Sequence, residues 1–226
     1  LAAKGGRQDL RPLAEAWLGL DRGPEEDLAW ATPSQVALRV KRGLAEVARC
    51  LPDLRVAWQA SPALTSLRED LRSILWANGG ALPLEEVAEA VLAARGSASN
   101  QPHRRRVLSL AATRAAVEVE AIQDASRFML HRLHGRPFVV LDQEAGRYAG
   151  ILGELADGLV QEDPLPPPYR VLQRLREVPT SRELADPRLL RLAAAASQTA
   201  AVSAREELYP RGMPARHALL LAHGAL

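Results

Sequence analysis

The stretch that decides the fold is LTSLREDLRSILWANGGALPLEEVAEAVLAARG, residues 64–96. Up to Ala77, apolar residues recur every three or four positions, which is the spacing of one face of a helix. Asn78-Gly79-Gly80 ends this helix, because asparagine and glycine accept the left-handed backbone conformation that closes one. After a very short strand, Pro83 opens a second amphipathic helix that runs to Arg95. The stretch therefore predicts two helices joined by a tight turn.

A third helix and a hairpin follow. Helical spacing of apolar residues resumes from His103 to Ile122, and the period then changes in RFMLHRLHGRPFVVL, residues 127–141. There, two short aromatic and β-branched runs flank His134-Gly135, which predicts a hairpin. Three helices followed by a two-stranded ribbon are the layout of a winged helix-turn-helix, whose third helix enters the major groove in DNA-binding members. The layout alone does not decide function, since many winged helices bind only proteins.

An earlier helix-turn-helix is predicted before this unit. Thr32-Pro33-Ser34-Gln35 has the form of a capping box with proline at the first helical position. Ala37, Lys41 and Val47 then fall at the offsets of the small, turn and branched residues of a helix-turn-helix. Lys41 stands where glycine is usual, and Gly43, just beyond it, is a candidate for partial compensation.

The predicted fold class is mainly α, in four parts. Residues 1–62 form an N-terminal helical and helix-turn-helix unit, and 63–163 form the winged unit with a following helix. Residues 164–168 are a proline-rich linker, and 169–226 are C-terminal helices, including a long one over Leu189–Glu206. The end of the chain resembles residues 74–82, so either a second winged unit begins there or the match is chance. Because the chain starts with Leu1 and not methionine, we expect a piece of a longer protein.

Composition limits the classes of function. The 226 residues carry a formal net charge of only +2, so any case for nucleic acid must be local. A single cysteine, Cys50, excludes an intrachain disulfide and a cysteine metal cluster, which fits the cytoplasm. His131 and His134 would point to opposite faces of a strand, so no metal is expected. No apolar run approaches a membrane span, and no phosphate loop, nucleophile elbow or kinase motif is present. We therefore expect no cofactor and no catalysis.

The strongest local charge lies on the third helix and the hairpin. Between Gln101 and Arg136, seven arginines face three acidic residues, a balance of +4. The alternative is a solvated basic helix start, but cations at a helix N-terminus oppose its dipole. The predicted DNA-binding residues are Arg104, Arg105, Arg106, Arg114, Arg132 and Arg136, with Lys41 and Arg42 of the first helix-turn-helix. Four tryptophans (Trp17, Trp30, Trp58 and Trp76) are interpreted as core anchors.

Three stretches carry a resemblance to a known family. They are ALTSLR at 63–68, residues 84–97 ending in LAARGS, and RLAAAASQTAAVSAREELYPRGM at 191–213. Together with the helix-turn-helix of Thr32–Trp58, they resemble the non-kinase C-terminal region of PglW-type serine/threonine kinases. Those kinases belong to the BREX (phage growth limitation) defence systems of actinobacteria and similar bacteria. The resemblance implies a cytoplasmic, multidomain antiphage kinase whose catalytic motifs lie outside this chain, and no kinase residue can be carried over.

Two functions remain open at this point. The first is a DNA-binding or DNA-sensing accessory region, with double-stranded DNA as the partner. The second is a protein–protein interaction scaffold that binds other defence-system proteins through winged-helix and alanine-rich helical surfaces. An enzyme with an unrecognised site is the least favoured class. Surface charge distinguishes the first two functions, because DNA binding requires that the third helix and the wing share one basic face.

Overall fold

The computed structural model describes residues 10–23, 30–162, 164 and 166–198. It is mainly helical with one small antiparallel sheet of three strands, so the predicted mainly α class is confirmed. The elements are α1 (Arg11–Leu18), α2 (Pro33–Val40), α3 (Leu44–Gln59), α4 (Pro62–Ala77), β1 (Ala81–Pro83), α5 (Leu84–Arg95), α6 (Pro102–Glu120), β2 (Met129–Leu133), β3 (Arg136–Val140), α7 (Gln143–Val160), α8 (Pro168–Leu175) and α9 (Asp186–Ala196). A short 3₁₀ turn covers Pro179–Glu183.

The chain divides into two compact units. Unit 1 comprises the described parts of Leu1–Ile74 and Leu84–Met129, and unit 2 those of Leu75–Pro83 and Leu130–Leu226. The structure thus places α5 and α6 with the N-terminal helices, and the hairpin with the C-terminal helices. The predicted boundaries after residues 62 and 163 follow turns and prolines along the sequence, whereas the units follow the packing of apolar faces.

Unit 1 is built around α6. This helix packs against α1, α3 and α5, so most of its residues from Val107 to Glu120 are buried. The neighbouring helices α1, α2 and α3 share an apolar core that includes Leu13, Trp17 and Val47. A helix that is buried on several sides needs partners all round it. That need explains why α6 belongs with helices distant in sequence.

The segment of the predicted first helix-turn-helix forms α2, a turn and α3 in unit 1. Thr32 and Gln35 make the reciprocal hydrogen bonds of a capping box at the start of α2. Ala37 of α2 and Val47 of α3 are both buried in the apolar core that these helices share with α1. Lys41 itself takes the left-handed conformation, with φ 55°. Gly43 has an ordinary φ of −66° as the residue before α3, so the expected compensation by glycine is wrong.

Unit 2 contains the sheet, in the order β1-β3-β2. Strand β1 pairs with β3 in antiparallel register, with Leu82 opposite Val139. The predicted turn is confirmed, since His134 and Gly135 both have positive φ, 50° and 80°. That pair of angles is typical of the two-residue turn that suits the twist of a hairpin. Asp142 then caps α7 by accepting a hydrogen bond from the Ala145 N–H at 2.8 Å.

Helices α7, α8 and α9 complete unit 2, and α7 and α9 approach closely. A Cβ added to Gly153 would lie 2.3 Å from the Ala196 carbonyl oxygen, so only glycine fits there. Helix α9 starts at Asp186 and ends at Ala196, because Ser197 is extended with ψ 148°. The predicted continuation of this helix to Glu206 is therefore wrong at Ser197, and residues 199–206 lie outside the described ranges. The proposed second winged unit lies outside the described residues.

The aromatic residues divide differently from the prediction. Trp17 is buried in unit 1, and Trp30 and Trp58 are partly buried. Trp76 is 78% exposed, so its interpretation as a core anchor is wrong. The buried row of α4 runs through Leu67, Leu71 and Leu75, and the residue after Leu75 is rotated about 100° away from that row. The largest fully buried side chains are instead Phe128 and Phe138.

Candidate nucleic-acid interface

The eight predicted DNA-binding residues fall into two groups. The exposed group comprises Lys41, Arg105, Arg106 and Arg132. The second group has partners within the protein and comprises Arg42, Arg104, Arg114 and Arg136. Arg132 of the exposed group also donates to a carbonyl oxygen of its own turn. Lys41, Arg105 and Arg106 can turn their whole charge toward an external anion, so the candidate interface is smaller than the sequence predicted.

The three consecutive arginines at the start of α6 have different environments. The Nη1 atom of Arg104 donates a 2.9 Å hydrogen bond to the Leu20 carbonyl oxygen. Arg105 and Arg106 are exposed, because successive residues of a helix are rotated by about 100°. Arg104 is therefore not simply a solvated cation of the helix start, because its bond ties α6 to the segment that follows α1.

The basic turn of the helix-turn-helix is tied to the same segment. Arg39, in the last turn of α2, donates to the Asp21 carboxylate at 3.3 Å. Lys41, two residues later, is exposed. Leu20 and Asp21 are consecutive, so they link the turn at Lys41 to the start of α6. Arg42 contributes less, since its Nη1 lies 3.7 Å from the Glu46 carboxylate and its side chain is only 20% exposed.

Arg114 has a structural role that the sequence did not indicate. The residue is 4% exposed, and its guanidinium lies between the rings of Trp17 and Trp30, 4.5 and 4.6 Å from their centroids. Its Nη2 atom donates to the Ala31 carbonyl oxygen at 2.7 Å. Arginine suits such a place because its flat, weakly hydrated head stacks on aromatic faces while it donates at its edge. A side chain so enclosed cannot reach DNA, so the prediction for Arg114 is wrong.

Two buried acids on α6 neutralise arginines from other helices. Glu118 accepts hydrogen bonds from Trp17 Nε1 at 3.0 Å and from Arg55 Nε at 2.8 Å. Glu120, which is fully buried, accepts from Arg68 Nε at 2.7 Å and from Arg127. The local balance of +4 therefore includes charges that never face solvent. The sequence missed these pairs because their partners are distant along the chain.

The environment of Glu120 shifts its pKa. Burial by itself raises the pKa of this carboxyl. The backbone N–H of Arg127 and the guanidinium groups of Arg68 and Arg127 outweigh burial and hold the pKa below its ordinary value of 4.5. Arg127 also pairs with Glu69. Burial by itself lowers the pKa of the Arg127 guanidinium, but its hydrogen bonds and charge pairing with Glu120 and Glu69 outweigh burial and raise that pKa. The cluster stays charged at neutral pH and joins α4, α6 and the segment after α6.

The two arginines of the hairpin lie in unit 2. Arg132 is exposed, and its Nη1 donates to the Gly135 carbonyl oxygen at 3.1 Å within the turn. Arg136 is partly buried and donates to the Ala195 carbonyl oxygen at 2.9 Å. That bond satisfies a carbonyl in the last turn of α9, where a cation is favourable. Arg132 and the exposed His134 thus remain as the polar tip of the ribbon.

The usual base-reading positions of the helix-turn-helix carry apolar residues. Leu44 begins α3 and is 51% exposed, and Ala45 beside it is also exposed. Leu38 of α2 is 81% exposed. None of these side chains can donate or accept a hydrogen bond at a base edge, so they lack the chemistry of direct readout.

Among the residues that the structure describes, no three His, Cys, Asp or Glu side chains are grouped so as to hold a metal ion. None of the helices in the described ranges has both the length and the apolar character to cross a membrane.

Comparison with known proteins gives one relation. Over 220 aligned residues the chain is 30% identical to the "Probable kinase PglW" of Streptomyces coelicolor. The alignment covers 87% of this chain but only 14% of that kinase. No protein-family model matches the chain, and no solved structure matches it. The chain is thus related to the PglW kinase over a small part of that protein's length.

Proposed function

We propose that this chain is a non-catalytic accessory region of a larger serine/threonine kinase of phage defence, and that unit 1 binds duplex DNA through its phosphates. The relation to a probable kinase over 14% of its length supports the first part. The second part rests on one observation: Arg39 and Arg104 bind to Asp21 and Leu20. Both acceptors lie in one short segment. The two bonds therefore bring the exposed Lys41, near Arg39, toward the exposed Arg105 and Arg106, next to Arg104, although α2 and α6 are far apart in sequence.

The proposed contacts are Lys41, Arg105 and Arg106. Each is exposed and makes no ion pair with any described residue, so each can neutralise a phosphate without losing an internal bond. Contacts to phosphates give affinity and orientation but carry no sequence information. Because Leu44 and Ala45 occupy the reading positions and α6 is buried beyond its first turns, we infer that binding is independent of DNA sequence.

We also infer that α4 to β3 derive from a winged helix. The order of α4, β1, α5, α6 and the β2–β3 hairpin is that of a winged unit, and so is the pairing of β1 with β3. In this chain the third helix is mainly a core element of unit 1. It therefore offers only its first turns to a partner, in contrast to a recognition helix that lies in the major groove.

A scaffold is the second candidate function, favoured by the exposed leucines. Leu38 and Leu44 stand on either side of the basic turn at Lys41. Large exposed apolar side chains near a cation are typical of protein interfaces. In this alternative the helix-turn-helix would dock another protein of the defence system. The double variant Leu38→Ser with Leu44→Ser would then abolish docking of that protein. Removal of the charges of Lys41, Arg105 and Arg106 would have little effect on docking.

The experiment compares two triple variants for binding to a fluorescein-labelled duplex of arbitrary sequence at low salt. The test variant is Lys41→Gly, Arg105→Gln, Arg106→Gln. Its matched control is Arg72→Gln, Arg147→Gln, Arg191→Gln, which removes three other exposed charges. We expect at least tenfold weaker binding in the test variant and a change below threefold in the control. Equal affinities, or loss in both variants, would refute the assignment of these contacts.

A further inference from the structure

Helix α8 of unit 2 carries an exposed strip with the chemistry of a nucleic-acid contact. Tyr169 is 71% exposed, and Arg170, Gln173 and Arg174 are exposed beside it. The opposite side of the helix is buried through Val171 and Leu175. Burial of that side fixes which side chains face outward. The strip therefore presents one aromatic ring, two guanidinium groups and an amide on a single surface.

The four residues of the strip form two parallel rows along the helix. Tyr169 and Gln173 are four residues apart, and so are Arg170 and Arg174, so each pair lies along one line of the helix. The two arginines are about 6 Å apart along the helix axis. Two successive phosphates of an extended strand can match that separation, with a base beside them over the tyrosine ring.

The charges of the strip are little used within the protein. Arg170 makes no ion pair with any described residue. Among the described residues Arg174 has one loose ion-pair partner, Glu177, at 3.9 Å, and its side chain is 48% exposed. Arg170 lies in the first turn of α8, where a cation opposes the helix dipole and gains no stability. Arg176, in contrast, is held by Asp186 and is not available.

We propose that this strip, defined by Tyr169, Arg170, Gln173 and Arg174, binds single-stranded nucleic acid. An exposed ring stacks on any base, and arginines beside it follow the phosphates, which together give binding without sequence preference. A duplex keeps its base faces stacked inside and cannot offer them to the tyrosine. The proposal uses residues of unit 2 only, so it stands or falls separately from the duplex contacts of unit 1.

The test measures binding of fluorescein-labelled dT20 by anisotropy, over a series of salt concentrations. Tyr169→Ala should weaken binding about tenfold, and Tyr169→Phe should stay within twofold of the wild type, because phenylalanine keeps the stacking ring. Arg170→Gln with Arg174→Gln should flatten the slope of log affinity against log salt by about 1.4. A control pair, Arg72→Gln with Arg191→Gln, should leave that slope unchanged.

Several results would overturn the proposal. They are no binding of dT20 at low salt, equal affinities of wild type and Tyr169→Ala, or an equal effect of the control pair. If Tyr169→Phe binds as weakly as Tyr169→Ala, the ring does not stack, and the proposal also fails. These positions are exposed, so circular dichroism should show the same thermal unfolding for every variant.

Discussion

Replacement of Arg114 separates a structural role from a DNA-contacting role. Its guanidinium lies between two indole rings and donates to the Ala31 carbonyl oxygen, with 4% of the residue exposed. Each desolvated cation–π contact contributes about 1.5 kcal/mol, and the charged hydrogen bond a similar amount. Glu118 keeps Arg55 and Trp17 as partners, so no unpaired acid is left behind. Arg114→Ala should therefore lower the free energy of unfolding by about 4 kcal/mol.

The assay is urea unfolding followed by tryptophan fluorescence. With a slope of about 2 kcal/mol per molar, the midpoint for Arg114→Ala should fall by about 2 M urea. Arg114→Lys keeps the charge but not the flat fork, so we expect about half that loss. The matched control is Arg105→Ala on the exposed side of the same helix, which should change the free energy of unfolding by about 0.5 kcal/mol or less. A loss below 1 kcal/mol in Arg114→Ala, together with weaker DNA binding, would refute the structural role.

Three further changes test other parts of the structure. Gly153→Ala should lower the free energy of unfolding by about 2 kcal/mol, because its Cβ would lie 2.3 Å from the Ala196 carbonyl oxygen. A lower melting temperature in thermal unfolding would show this loss. Lys41→Gly should raise the free energy of unfolding by about 0.5 kcal/mol, since glycine accepts φ 55°, whereas Lys41→Val should lower it. Because the pKa of Glu120 is lowered by folding, its contribution is present above pH 4.5 and lost as pH falls through the lower folded-state pKa. Glu120→Gln should thus be less stable than wild type at pH 7 and lose less stability between pH 4.5 and 2; equal pH profiles would contradict this.

Much of the fold follows from local signals in the sequence. The spacing of apolar residues indicated the helices, and His134-Gly135 indicated the turn that the structure places there. Thr32 and Gln35 form the capping box that their spacing predicted. Such features depend on residues within a few positions of one another, and that is why the sequence alone could predict them.

The assembly of α6 could not be predicted in the same way. Its buried partners lie far along the chain, as in the bond between Glu118 and Trp17, which are 101 residues apart. Buried Arg114, Glu118 and Glu120 have the residue types of a solvated face, so charge counting assigned them to the surface. Pairs of this kind become visible only when three dimensions bring helices together. For this reason, of the eight residues that the sequence predicted, only the exposed ones remain candidates for the interface.

The dependence of duplex affinity on salt tests the central claim most directly. Three phosphate contacts, through Lys41, Arg105 and Arg106, predict a slope of about −2.7 for log affinity against log salt, or roughly a 40-fold loss between 50 and 200 mM. The slope should be the same for unrelated duplex sequences and should approach zero in the Lys41→Gly, Arg105→Gln, Arg106→Gln variant. A wild-type slope near zero, or an unchanged slope in the variant, would contradict the account.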